Sequence, residues 1–324
     1  MPIARKAAER YGTTTVRPAD FDAFWAAIMA EVGEIPLNPA MEHVPMRSTD
    51  EVDVYEIHYD SLDHLRIAGW YCVPKESYLP PSYPALLIVP GYISEPALPK
   101  SWAKMGYAAV GVAPRGKLRS NRQYNPGYPG LLMSNVVDRN TYGYRGFYVD
   151  AARAVDFVLT RPEVDKTRIG VHGSSQGGAL TITTAALRSD VIKVGAAGAP
   201  YLCGFMDAAH LTHSWPYEEI NDYLRLYPER AEAVRATYNY FDGINFAPMI
   251  KCPMLVYVGL ADDVCPPETG YALYNTMTCP KEIHAYSRCA HDSGVYWEMP
   301  KVEAWLAAQL KPAAYMRHAE PTVG

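Results

Sequence analysis

Three hydrophobic patterns alternate along the chain. In residues 20–31, DFDAFWAAIMAE, the apolar residues Phe21, Phe24, Trp25 and Ile28 recur at helical spacing and predict an N-terminal helix with Asp20 as its N-cap. Residues 52–57, VDVYEI, alternate and predict a half-exposed strand, followed by a second strand over 65–73, LRIAGWYCV. Residues 85–89, 108–113, 194–199 and 254–259 are short, continuously apolar runs. Such runs fit strands covered on both faces, as in a parallel sheet. Helices are expected at 99–105, 144–159, 268–277 and 295–310, with a further strand at 282–286. This alternation of strands and helices predicts an α/β fold with a doubly wound, mostly parallel sheet.

Two stretches break the alternation. Residues 114–141 form a long segment rich in Arg, Asn, Gly, Pro and Tyr, and loops of that length in compact domains are usually functional or interfacial. Residues 201–246 are largely helical and aromatic, as expected of a cap inserted over a site. The whole is read as one domain over 1–324, with an N-terminal extension over 1–50 and the cap at about 200–247.

One turn carries candidate chemistry. Gly173-Ser174-Ser175-Gln176-Gly177 matches G-x-S-x-G, the nucleophile elbow, in which a sharp turn between strand and helix throws a serine hydroxyl clear of the backbone. The pattern alone arises by chance in roughly one chain of this length in ten, so its context carries the weight. Here Ile169 and Val171 read as the strand before it, and Ala179, Leu180, Ile182, Thr183 and Ala186 as the helix after it.

An elbow of this kind is followed in chain order by an acid and then a histidine, each after a later strand. Asp262 and Asp263 stand directly after the run at 254–259, and His291 follows the strand at 282–286. His172, His210, His213 and His284 lack that topological place. Ser175 would then attack an ester carbonyl, His291 would accept and return its proton, and an aspartate would orient the imidazole. The two donors of an oxyanion hole are expected from the backbone N–H of Gln176 and from Tyr92, in the turn after the run at 85–89. This chemistry needs no metal and no organic cofactor; its partner is a small acyl ester.

Composition narrows the setting. A net charge of −5 without a basic cluster gives no support for nucleic-acid binding. No apolar run reaches membrane-spanning length, and the first 25 residues contain no signal-type apolar region. The six cysteines are scattered without a C-x-x-C pair, which argues against a zinc site and for reduced thiols in a cytoplasm. Tyrosine outnumbers phenylalanine by 25 to 7, a supply of apolar faces with hydroxyl tips that suits polar ring-shaped ligands or subunit contacts.

Several stretches together resemble carbohydrate esterase family 7, the acetyl xylan esterases and cephalosporin C deacetylases of the α/β-hydrolase superfamily. They are FDAFW, PLNP, Gly91-Tyr92, Arg115-Gly116, the YPG at 128–130, DRNTYGYR, DAARAVDF, GSSQGG, HSWPYEEINDYL, YFDGINFA and GLADDVCPP. The resemblance implies Ser175 as nucleophile, His291 as base, Asp262 rather than Asp263 as the acid, and Tyr92 and Gln176 as oxyanion donors. It also implies removal of acetyl groups from acetylated sugars or related alcohols, and a homo-oligomer, in the family a hexamer around an internal chamber. The same fold could instead serve a hydrolase or an acyltransferase acting on a different, larger ester or an amide. Three positions depart from the family pattern: Pro90 before Gly91, Lys117 where the family has glutamine, and Asp292 where it has glutamate. Lys117 puts a charge in place of an amide, and Asp292 shortens a carboxylate by one methylene; both bear on substrate identity.

Overall fold

The computed structural model describes residues 5–75, 82–92, 95, 98–127 and 130–311; Tyr128, Pro129 and the start of the proline break at 80–84 lie outside that set. Nine strands form one sheet: β1 (Ala40–His43), β2 (Val52–Asp60), β3 (Arg66–Pro74), β4 (Tyr83–Ile88), β5 (Ala108–Ala113), β6 (Val164–Ser174), β7 (Ile192–Gly198), β8 (Met254–Gly259) and β9 (Lys281–Tyr286). Their order is β1-β2-β3-β5-β4-β6-β7-β8-β9. The β1-β2, β2-β3 and β3-β5 pairs are antiparallel, and every pair from β5-β4 to β8-β9 is parallel.

The continuously apolar runs occupy the middle of this sheet because helices cover both of its faces. The helices are α1 (Arg5–Glu9), α2 (Phe21–Glu34), α3 (Lys100–Lys104), α4 (Gly143–Leu159), α5 (Gln176–Leu187), α6 (Phe205–Leu211), α7 (Glu218–Leu226), α8 (Ala231–Asn239), α9 (Gly243–Phe246), α10 (Pro267–Thr276) and α11 (Val295–Leu310). On one face Leu87, Val110 and Val171 share the main core with Phe147, Val155, Leu180 and Ile182 of α4 and α5. On the other, Leu86, Ala109, Val194 and Leu255 pack with Trp102 of α3 and with Val302, Leu306 and Leu310 of α11.

The structure corrects the reading in three places. β2 is half exposed as its alternation predicts, but the buried face changes along it. Val52 and Val54 pack with Trp70 and Ala103, whereas Ile57 and Tyr59 join the main core on the opposite face. A strand can do this where different helices cover its two ends. β1, four exposed residues at the sheet edge, has no hydrophobic pattern to announce it. Asp20 precedes α2 but its side chain makes no capping hydrogen bond. Its carboxylate instead accepts from the Tyr240 hydroxyl and from Arg139.

Residues 205–246 form the four short helices α6 to α9, and the N-terminal segment is stitched to them. The Thr13 hydroxyl donates to Asp207 at 2.7 Å, the Thr15 hydroxyl to Asp242 at 3.0 Å, and the Trp25 indole to the Tyr240 carbonyl at 2.8 Å. Asp242 also accepts from the backbone N–H groups of Gly204, Phe205 and Ile244 at 2.9–3.0 Å. A fully buried carboxylate is thus wrapped in donors, and burial still raises its pKa to about 6. No helix among the described residues is long and apolar enough to cross a membrane.

Candidate active site

β6 runs to Ser174, and α5 begins at Gln176, leaving Ser175 alone in the turn. Its backbone sits at φ 60° and ψ −123°, a region that costs a non-glycine residue roughly 1–3 kcal/mol and persists only when the surroundings enforce it. The flanking glycines show the enforcement. A Cβ on Gly173 would lie 2.7 Å from the Val89 carbonyl oxygen, one on Gly177 2.4 Å from the same atom, and one on Gly178 2.5 Å from that of Gly198. Strand and helix therefore approach to a distance that no side chain allows. The Ser175 N–H donates to Gly198 at 2.9 Å, which ties the turn to β7.

The loops after β8 and β9 bring the acid and the histidine together. Asp262 Oδ2 lies 2.9 Å from His291 Nδ1, with the carboxylate 1% exposed and the imidazole 33% exposed. The other carboxylate oxygen accepts the N–H groups of Val264 and Cys265, both at 2.9 Å. A carboxylate held on three sides cannot rotate, so the imidazole is oriented with Nδ1 on the acid and Nε2 outward. Neither aspartate caps the next helix: Pro266 precedes α10. Asp263 is turned away, its carboxylate within 3.4 Å of the Ser214 hydroxyl. Cys265 supports the acid, since its N–H serves Asp262. Burial keeps its thiol protonated, raising its pKa well above the ordinary value.

Three of the four histidines that compete in the sequence are engaged elsewhere. Buried His172 meets the Ala196 carbonyl at 2.9 Å, His213 pairs with Glu218 at 2.9 Å, and His284 with Glu298 at 2.7 Å. Asp292 shapes the loop that carries His291: its carboxylate accepts from the N–H groups of Ala290 at 3.0 Å and Gly294 at 3.1 Å.

Gln176 opens α5 with its side chain buried against the Tyr144 hydroxyl at 2.8 Å. The backbone N–H groups of Gln176 and Tyr92 donate to no other described residue. Tyr92 is held from two sides. Its phenol donates to Glu219 at 3.1 Å, while the Lys117 ammonium donates to the carbonyls of Gly91 at 2.6 Å and Tyr92 at 2.5 Å. A cavity of about 150 Å³ adjoins both residues, walled by Lys117, Gly130, Leu131 and Phe147.

Two features here escape the sequence reading. Glu219, in the cap helix α7, is 4% exposed, and burial raises its pKa to about 7, opposed by the hydrogen bond from Tyr92. Its only sequence signal is an acidic pair inside the aromatic stretch HSWPYEEINDYL. Tyr201, whose ring meets that of Tyr92 edge-on at 5.9 Å, has no signal at all among 25 tyrosines. Among the described residues no group of three His, Cys, Asp or Glu side chains is placed to hold a metal ion.

A strained serine at the tip of a central parallel strand, a buried carboxylate–histidine pair on the next two loops and this strand order define an α/β hydrolase. The acetyl xylan esterase family model matches residues 3–309, so the chain belongs to that family. It is 31% identical over 287 residues to the acetyl esterase Axe7A of Xylanibacter ruminicola, an alignment covering 83% of this chain and 62% of that protein. The acetyl xylan esterase of Paenibacillus sp. R4 superposes with a TM-score of 0.89 at 34% identity, covering 95% of this chain and 100% of that one. Acetyl xylan esterase 1 of Thermoanaerobacterium sp. JW/SL YS485 superposes with a TM-score of 0.87 at 26% identity, covering 95% and 99%.

Proposed function

We propose that this chain is a serine esterase that removes short acyl groups, chiefly acetyl, from acetylated sugars or related small alcohols. The observation that carries the reading is the 2.9 Å pair between buried Asp262 and His291, together with a serine held in an enforced elbow at the end of β6. Ser175 attacks the ester carbonyl as His291 takes its proton. Asp262 holds the tautomer and stabilises the imidazolium that forms. The N–H groups of Tyr92 and Gln176 receive the developing oxyanion, each such donor being worth about 2.7–4 kcal/mol in the transition state. His291 then returns its proton to the leaving alcohol. Water, activated by the same imidazole, releases the acid and restores the serine.

No step calls for a metal, so chelator treatment leaves the rate unchanged in this scheme. The reading also includes a homo-oligomer, taken as the hexamer that the family resemblance implies. It is supported by the large apolar side chains that the cap and the start of α11 leave exposed: Trp215, Leu226, Tyr296 and Trp297. A cytoplasmic setting is supported by six free thiols, five of them buried.

The test is hydrolysis of p-nitrophenyl esters from acetate to octanoate, with Ser175→Ala alongside. Steep preference for acetate, lost in a folded mutant, supports the proposal; acetylated xylo-oligosaccharides then test the alcohol. Preference for long chains removes the acetyl assignment, and substantial turnover by Ser175→Ala removes the nucleophile.

A further inference from the structure

We propose that Lys117 is a positioning residue for the oxyanion hole, its ammonium fixing the peptide unit that presents the Tyr92 N–H. This rests on the serine-esterase reading above and assigns a task to the residue at which the chain departs from its family's glutamine.

The geometry begins with the peptide plane. The Gly91 carbonyl and the Tyr92 N–H belong to one trans peptide unit, so they point in opposite directions. Lys117 Nζ holds that carbonyl at 2.6 Å and the next one, of Tyr92, at 2.5 Å. Two consecutive carbonyls converging on one cation fix two consecutive peptide planes. The Tyr92 N–H is thereby aimed away from the lysine, on the side left for the oxyanion. Without the ammonium this plane has little to stop it turning, because Gly91 has no Cβ to restrict its torsions. A turned plane would present a carbonyl oxygen to the developing negative charge, converting a donor into a repulsive dipole. Charge-assisted bonds are also about twice as strong as neutral ones, and a cation on the carbonyl polarises the N–H on the far side of the same amide.

The anchor is itself anchored. Arg115, two residues earlier and 3% exposed, grips both oxygens of buried Asp150 on α4 at 2.8 and 3.0 Å. It also donates to Asp63 at 2.6 Å. The Lys117 N–H closes a turn onto the Pro114 carbonyl at 3.1 Å. The lysine therefore projects from a rigid turn onto the loop after β4. The residue is 7% exposed, which a lysine tolerates only where its donors are used.

Burial lowers the pKa of Lys117 to about 8, opposed by the nearby carboxylate of Glu95. The charged or titratable groups around it are Glu95, the Arg115 guanidinium and the Tyr92 phenol with Glu219 behind it. A lysine whose folded pKa is below its unfolded value loses its proton first in the folded protein. Its burial cost is relieved as pH rises from about 8 towards 10.5, so its contribution to stability grows over that window. The ammonium needed for positioning disappears over the same window. Activity and this residue's contribution to stability therefore move in opposite directions, which separates positioning from a merely structural role.

The experiment measures kcat and KM for p-nitrophenyl acetate between pH 6 and 9.5 in wild type, Lys117→Met and Lys117→Gln, with melting temperatures at each pH. Wild type is expected to lose kcat through pH 8 while remaining folded. Lys117→Met is expected to lose kcat about 100-fold at pH 7 with KM changed less than threefold, as for loss of one oxyanion donor. Lys117→Gln, which donates without charge, is expected to keep kcat within tenfold and to lack the limb near pH 8. A Lys117→Met kcat within threefold of wild type overturns the proposal, as does a limb near pH 8 that persists in Lys117→Gln. The glutamine variant and the wild-type profile decide the matter if the methionine variant does not fold. A wild type inactive on every ester would instead bring down the esterase reading.

Discussion

At the residue scale, the two adjacent aspartates after β8 are chemically identical and structurally opposite. Asp262 is wrapped by two backbone N–H groups and His291, while Asp263 faces the Ser214 hydroxyl. Asp262→Asn keeps the shape but puts an amide where the imidazole needs a carboxylate, which favours the wrong tautomer. We expect Asp262→Asn to lower kcat on the order of ten-thousand-fold. Asp263→Asn should stay within threefold of wild type, measured on the same ester. Equal losses would show that the pair acts as a unit. Spacing alone could not separate the two, since adjacent loop positions share one topological place; the resemblance to family motifs favoured Asp262, and the hydrogen bonds supply the physical reason.

At the element scale, the elbow depends on how closely β6 and α5 approach. The Cβ of an alanine at 177 would sit 2.4 Å from the Val89 carbonyl oxygen, a backbone atom that cannot swing aside. Gly177→Ala is expected to cost about 2–4 kcal/mol of stability by forcing β4 and α5 apart. Chemical denaturation measures that loss, and a change within 0.5 kcal/mol, about the size of a neutral surface substitution, would contradict it. The strands and helices around the elbow were legible because continuous apolar runs and helical stripes are local signals. The 114–141 segment carried no such signal. What gives it a defined path is a set of long-range bonds, Arg115 to Asp150 and Lys117 to the β4 loop, which join residues 35 and 25–26 positions apart.

At the scale of the whole molecule, the N-terminal segment, the cap and the site form one connected body. Thr13 and Thr14 bind Asp207, Thr15 binds Asp242, and Glu219 in the cap binds the phenol of Tyr92. The cap thus reaches the proposed oxyanion donor directly. Exposed Trp215, Leu226 and Tyr227 lie on that cap, and Tyr296 and Trp297 lie near the loop of His291. If these surfaces meet their counterparts on other copies, light scattering should give a mass near six times the 36.0 kDa of one chain. A monomer at micromolar concentration would exclude the oligomer.

The sequence by itself determined the order of most strands and helices, the parallel character of the central sheet and the places of Ser175, His291, Tyr92 and Gln176, and it narrowed the acid to Asp262 or Asp263. These are carried by local patterns and by position after particular strands, which a linear chain records. Only the tertiary structure decided what surrounds them. The switch of the buried face along β2, the release of Asp20 from capping, the enclosure of Glu219 and the grip of Lys117 on the Gly91 and Tyr92 carbonyls each depend on groups far apart in the chain. Their energies come from desolvation and from bonds whose partners folding alone brings together, and no local pattern encodes them.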